Sequence, residues 1–191
     1  MQLASEGLVF LADQRGFHVS AVSVDDLKDV MQTRVGVEAL GLRDAMARLD
    51  DHWEAEIVAS FHRLSKQAAL LGPGGAVNPE WFRRHREFHF SLIAAAQSEL
   101  LKKFWFMAFD RAERYRRLAV AFGSTPRADL AEHRSLMRAV LSRDVDRALR
   151  LSEKHITKTL NIILYDVARR IPIFEKARGL PLAPRLAHQP E

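Results

Sequence analysis

The chain has 191 residues, with 29 Lys and Arg against 24 Asp and Glu, a formal charge of +5, and a pI near 9.9. Hydrophobic residues make up 48% and charged residues 28%, a globular balance with enough chain for one domain and a real core. No apolar run approaches the roughly 18 residues of a membrane span. No basic-then-apolar leader opens the sequence, so the expected location is cytoplasmic. Cysteine is absent, which removes disulfides, thiolate metal ligands and thiol chemistry.

In chain order, residues 1–22 predict the last turn of a helix ending at Gly7, then a hairpin in "FLADQRGFHVS" with a polar turn between two short strands. From Ser23 the pattern turns helical. Ser23 is an N-cap with Asp25 and Asp26 in the first turn. Leu27, Met31, Arg34, Glu38, Gly41 and Ala45 follow as one stripe. "DDHWEAEIVASFHRLSKQAALL" predicts a second helix with Trp53, Ile57, Phe61, Leu64 and Ala68 inward. "GPGGAV" (72–77) is a break. Asn78 caps a third helix with Pro79 at its first position, carrying Phe82, His85, His89, Leu92 and Ala96.

An interruption near Gln97 and Ser98 leads to a fourth helix, with its stripe on Leu101, Phe104, Ala108, Arg111, Tyr115, Leu118 and Phe122. "GSTPRA" (123–128) breaks again. A fifth helix holds Leu130, His133, Met137 and Val140. After "SRD", a sixth holds Val145, Leu149, Ser152, His155, Thr159, Ile163 and Val167. The expected architecture is an all-α, six-helix antiparallel bundle with a short N-terminal hairpin. The expected units are 1–22, 23–170 and an irregular tail over 171–191 that holds Pro172, Pro181, Pro184 and Pro190.

Four of the eight histidines, His85, His89, His133 and His155, fall on apolar stripes of three predicted helices. His18 lies in the hairpin, His188 in the tail, and His52 and His62 flank their stripe. A single inward histidine is ordinarily a hydrogen-bonded core residue. Four buried imidazoles are costly unless each finds a partner, and one divalent cation can serve all four. His85 and His89, at i and i+4, offer two nitrogens from one helix face. An all-imidazole set suits a transition metal, with zinc or nickel the first candidates. Such a centre keeps its full positive charge and attracts an anion. Arg34 and Arg111 lie on inward stripes. Each needs a partner, either an acid of the chain (Glu38 for Arg34) or the carboxylate of a small organic acid.

Taken together, "RRHREFHFSL", "RAERYRRLA", "AEHRSLMRAVLSRDVDRAL" and "EKHITKTL" resemble, in order, the signatures of the six-helix FCD effector domain in the FadR branch of GntR-type transcription regulators. "LASEGLVFLADQRGFHVSAVSVDDLKDV" resembles the join between the winged helix-turn-helix of those regulators and their effector domain. The resemblance implies that 3–9 is the end of a recognition helix and 10–19 a wing. It implies a metal held by His85, His89, His133 and His155, with His85 standing where family members usually carry Asp or Asn. It also implies a small-acid effector at or beside the metal, a homodimer, and repression of a catabolic operon rather than enzymatic activity; Arg34, Arg111 and Tyr115, on inward stripes, are the residues expected to contact the acid. Bases are read by the N-terminal part of the recognition helix, which this sequence lacks. Specific operator binding by residues 1–191 alone is therefore not expected, whether the chain is part of a longer regulator or a free-standing sensor.

Two rival readings stay open. Three or four histidines with an open coordination position also describe a metal-dependent hydrolase. Against it, Glu87 and Glu132 sit beside ligand positions but point away on their own helices, and Glu38 is expected to pair with Arg34. The other rival is a structural dimerisation bundle whose histidines hydrogen-bond in the core.

Overall fold

A computed structural model describes residues 9–12, 16–19, 23–48, 50–71, 77–122 and 129–167. Residues 3–8 of the expected recognition-helix end with Gly7, the break over 123–128, most of "GPGGAV", His188 and the rest of the tail lie outside the described residues, while Val9, expected to close that helix, instead begins a strand. Two strands, β1 (Val9–Ala12) and β2 (Gly16–Val19), pair antiparallel with Val9 opposite Val19 and Ala12 opposite Gly16. Six helices follow: α1 (Val24–Met46), α2 (Asp51–Ser65), α3 (Pro79–Ile93), α4 (Glu99–Phe122), α5 (Leu130–Leu141) and α6 (Val145–Ile162). A single wider π-type turn, Ile163–Val167, extends α6.

The helix starts are set by caps. Ser23 Oγ accepts from the Asp26 amide, Asp50 from Trp53, Asn78 from Glu80 and Asp144 from Arg147. Each satisfies one of the orphan donors of a first turn. The turn between α5 and α6 places Arg143 at φ 57°, a left-handed conformation uncommon outside glycine. Its guanidinium compensates by donating to the carbonyls of Met46 and Arg48 and to Glu54 at 2.6 Å, tying this turn to the α1–α2 corner.

The helix α1 packs along α4 and α6, α2 along α3 and α5, and α5 along α6. The stripe expected on α1 is buried in full: Leu27, Met31, Arg34, Glu38, Gly41 and Ala45. Gly41 is required by contact, because a Cβ there would stand 2.9 Å from Cγ2 of Ile93 on α3. The larger core cluster runs through Leu42, Ile57, Phe82, Phe88, Leu92, Trp105, Phe109 and Leu136. A second groups Leu27 and Met31 with Tyr115, Ile156 and Ile163.

Two expectations are corrected. The helix α2 stops at Ser65, and Ala68 is exposed beyond it. The backbone there pairs with the next segment instead: Asn78 donates to the carbonyls of Ala68 and Ala69, and Leu70 bridges to Val77. On α4 the inward face is Trp105, Ala108, Phe109, Ala112, Tyr115 and Arg116, while Phe104 is 47% exposed. The expected stripe shares Ala108 and Tyr115 with this face but is displaced by one residue at 104 and 111, about 100° of helix rotation. The larger rings of Trp105 and Phe109 win the interior, and the indole N–H of Trp105 reaches Glu38 at 3.1 Å. The side chains of Leu118, Phe122 and Val167 lie outside the described residues.

Candidate metal centre

The i, i+4 spacing brings His85 and His89 to one face of α3, and both are fully buried. The helix α5 brings His133 and α6 brings His155, at 1% and 3% exposure. Nε2 of His89 lies 3.1 Å from Nε2 of His85 and 3.2 Å from Nε2 of His133. One ring nitrogen from each of the four histidines falls within 4.8 Å of the other three. Two nitrogen lone pairs at hydrogen-bond distance need a proton or a cation between them. A third nitrogen directed at the same point favours the cation.

The far sides of the rings argue in the same direction. Nδ1 of His89 lies 3.3 Å from Oε1 of Glu38, and Nδ1 of His155 lies 3.0 Å from Oε2 of Glu132. Nδ1 of His133 faces Oδ1 of Asp129 at 3.7 Å. A carboxylate accepting from Nδ1–H leaves the Nε2 lone pair free for a metal and fixes the ring orientation, the usual arrangement behind metal-bound imidazole. His85 is the exception. Its ring stacks on Trp81 with centroids 4.8 Å apart, and among the described residues its Nδ1 has no hydrogen-bond partner.

The electrostatics keep the two rings of α3 neutral. Burial holds the His85 pKa well below its ordinary value, with the Arg116 charge adding to it. Burial also lowers His89 to about 4, against the partial opposition of Glu38. Burial pushes the Glu38 carboxyl up, but His89, Arg34 and Trp105 outweigh it and hold the acid ionised. A neutral imidazole backed by an anionic carboxylate, as His89 is by Glu38, is the protonation state a divalent cation needs. The donor set therefore fits a transition metal on chemistry as well as distance.

Residues 29–158 match the FCD domain. The chain belongs to the FCD family. Over 163 residues it is 34% identical to the helix-turn-helix-type transcriptional regulator BphR of Paraburkholderia xenovorans, covering 84% of this chain and 66% of that protein. It is also 34% identical to the helix-turn-helix-type transcriptional repressor GlaR of Escherichia coli, over 85% of this chain and 75% of that one. The chain thus spans about two thirds to three quarters of these curated relatives. Among solved structures, E. coli McbR/YncC superposes with a TM-score of 0.69 at 14% identity, covering 85% of this chain and 79% of that one. A GntR family member from Pseudomonas syringae superposes at 0.63 and 20% identity, covering 85% and 65%. These two likenesses show the fold.

In this FCD domain the expected cationic residues separate. Arg34 stays with the centre. It is 2% exposed, its guanidinium lies 4.4 Å over Phe109, and its Nε is 3.7 Å from Glu38, which also contacts His89. Arg111 and Tyr115, expected at the effector, instead engage the start of α1. Arg111 pairs with Oδ1 of Asp26 at 2.6 Å, and Tyr115 Oη donates to Oδ2 of the same carboxylate at 2.6 Å. The Ser23 amide donates to Tyr115 Oη at 3.2 Å.

Arg116, Asp129 and Glu132 stand beside the histidines as well. Arg116 is 5% exposed, lies 5.8 Å over the Trp81 ring and 3.6 Å from Asp129. It follows directly from the one-residue phase correction on α4. Asp129 stands four residues before His133, a spacing the sequence displays. Glu132, expected to point away from the ligand positions, does turn from His133 on its own helix, but the packing of α5 on α6 brings its carboxylate to His155.

Proposed function

We propose that this FCD domain is the sensing domain of a transcription regulator. On this reading His85, His89, His133 and His155 hold a divalent transition metal, zinc or nickel, and a small organic acid binds at or beside it. The observation that carries the reading is the convergence of four buried ring nitrogens within 4.8 Å, with carboxylates behind three of the rings. When bound, the metal supplies a Lewis-acidic positive centre that attracts a carboxylate.

The chain's own residues supply the rest. Glu38, Asp129 and Glu132 orient the ligand rings. Arg34 and Arg116 place two fixed guanidinium charges near the histidines, suited to bidentate carboxylate recognition. Arg111 and Tyr115 act at the start of α1, so they transmit a change at the centre rather than contact the acid. The helix α1 carries both the Glu38–His89 contact and the Asp26 joint, which makes it the element through which occupancy reaches the preceding residues. A homodimer in the cytoplasm, binding operator DNA through a winged helix-turn-helix of which 1–22 contributes the wing, completes the proposal. Any acid acts only through its differential affinity for two arrangements of this joint.

Elemental analysis of the purified chain tests the centre. About one equivalent of metal is expected in wild type, with loss in His89→Ala and His133→Ala. Calorimetry of the metal-loaded chain against organic acids tests sensing. A wild type purified without chelator that takes up neither zinc nor nickel overturns the reading.

A further inference from the structure

Next to the two guanidinium groups stands an acid that the sensing reading does not use. Glu113 lies on α4, one turn beyond Phe109, and its side chain is only 13% exposed. Oε2 is 4.0 Å from Nε of Arg116, and Oε1 is 3.9 Å from Nε of the half-exposed Arg117. Oε1 is shielded from solvent and makes no hydrogen bond among the described residues. A carboxylate shut away from water normally accepts at least one hydrogen bond, so this acceptor is the exception on its helix.

Its neighbourhood is that of the candidate effector site. Arg116 lies over Trp81, and Trp81 stacks on His85. Both Arg34 and Arg116 act on Glu113 and on His89 through their charges. Burial pushes the Glu113 carboxyl up to about 7 despite these cations, which marks how little solvation it keeps.

We infer that Glu113 is a specificity residue: it selects, among small organic acids, those that carry a hydroxyl or ammonium donor beside the carboxylate. This rests on the sensing reading above. The cations of the site recognise the carboxylate common to all such acids. The acceptor of Glu113, without a hydrogen bond among the described residues, suits a ligand that brings its own donor. An acid lacking one leaves Oε1 buried and unpartnered, and desolvates it further. A buried acceptor left unpaired rather than bonded sets the resulting discrimination at about tenfold or more.

Matched pairs isolate the effect: malate against succinate, and lactate against propionate, titrated calorimetrically into the metal-loaded chain. Wild type is expected to bind the hydroxylated member of a pair about tenfold or more tightly. Glu113→Leu, which removes the acceptor while keeping a side chain of similar size, and Glu113→Asp, which withdraws the carboxylate by one methylene, are expected to retain metal and lose the preference. Equal binding within each pair by wild type, or an undiminished preference in Glu113→Leu, overturns this inference and leaves the sensing reading standing. A change in thermal stability with the preference intact assigns Glu113 to balancing Arg116 and Arg117, and also overturns it. No binding of any acid by metal-loaded wild type overturns the sensing reading itself, and this inference with it.

Discussion

Oε2 of Glu132 on α5 sits 3.0 Å from Nδ1 of His155 on α6, although Glu132 is the immediate neighbour of another candidate ligand, His133. The acid serves the ring across the helix interface, not the one beside it in the chain. Its second oxygen takes Lys158, also on α6. One carboxylate thus fixes both the packing of α5 on α6 and the orientation of His155.

Removing that acid tests the centre without touching a ligand. Glu132→Gln keeps the volume and an acceptor oxygen but loses the charge. On the metal-binding reading, affinity is expected to fall about 10–100-fold, measured by competition with a chromophoric chelator. An unchanged affinity removes Glu132 from the support of the centre.

The metal-free chain is expected to lose stability on acidification. His89 titrates near 6.5 when unfolded and about 4 when folded, because burial disfavours its charged form. Above pH 6.5 both states are neutral and the contribution is intact. As pH falls from 6.5 towards 4, the unfolded chain takes up a proton the folded chain refuses, and stability drops. A gap of this size corresponds to about 3 kcal/mol, with His85 adding in the same direction. Denaturant midpoints between pH 8 and pH 4 check the slope, which is expected to flatten in His89→Gln.

Two glycines of α1 are expected to respond oppositely to alanine. A Cβ at Gly41 meets Ile93 at 2.9 Å and 3.1 Å, so Gly41→Ala overpacks the α1–α3 contact at a cost of about 1–3 kcal/mol. A Cβ at Gly36 meets nothing within 4 Å, so Gly36→Ala gains about 0.5–1 kcal/mol from helix propensity. Urea unfolding of the two variants beside wild type reads both signs.

The start of α1 is held by Tyr115. Its hydroxyl binds Asp26 and the backbone of Ser23. Tyr115→Phe removes those bonds, keeps the ring, and is expected to cost about 1–2 kcal/mol. Amide exchange over residues 23–27 should quicken while metal content stays at the wild-type level. Loss of metal in this variant would instead place Tyr115 at the centre.

Much of the site is legible along the chain. His85 and His89 share a face because the helix period dictates it. Ser23, Asp50, Asn78 and Asp144 mark helix starts through their side-chain oxygens, and Arg34 with Glu38 lies on a fully buried stripe. These are local consequences of dihedral geometry and spacing, so the sequence by itself determines them. The phase of α4 was not legible, because residues 104 and 105, or 111 and 112, offer nearly equivalent apolar stripes. Which one turns inward depended on where Trp105 finds an acceptor, and that acceptor, Glu38, is on another helix. Only the tertiary structure decided that Arg116 rather than Arg111 stands near the histidines, and that Glu132 belongs to His155. Contacts between helices are set by how whole faces pack, and no spacing within one helix encodes the partner that another will present.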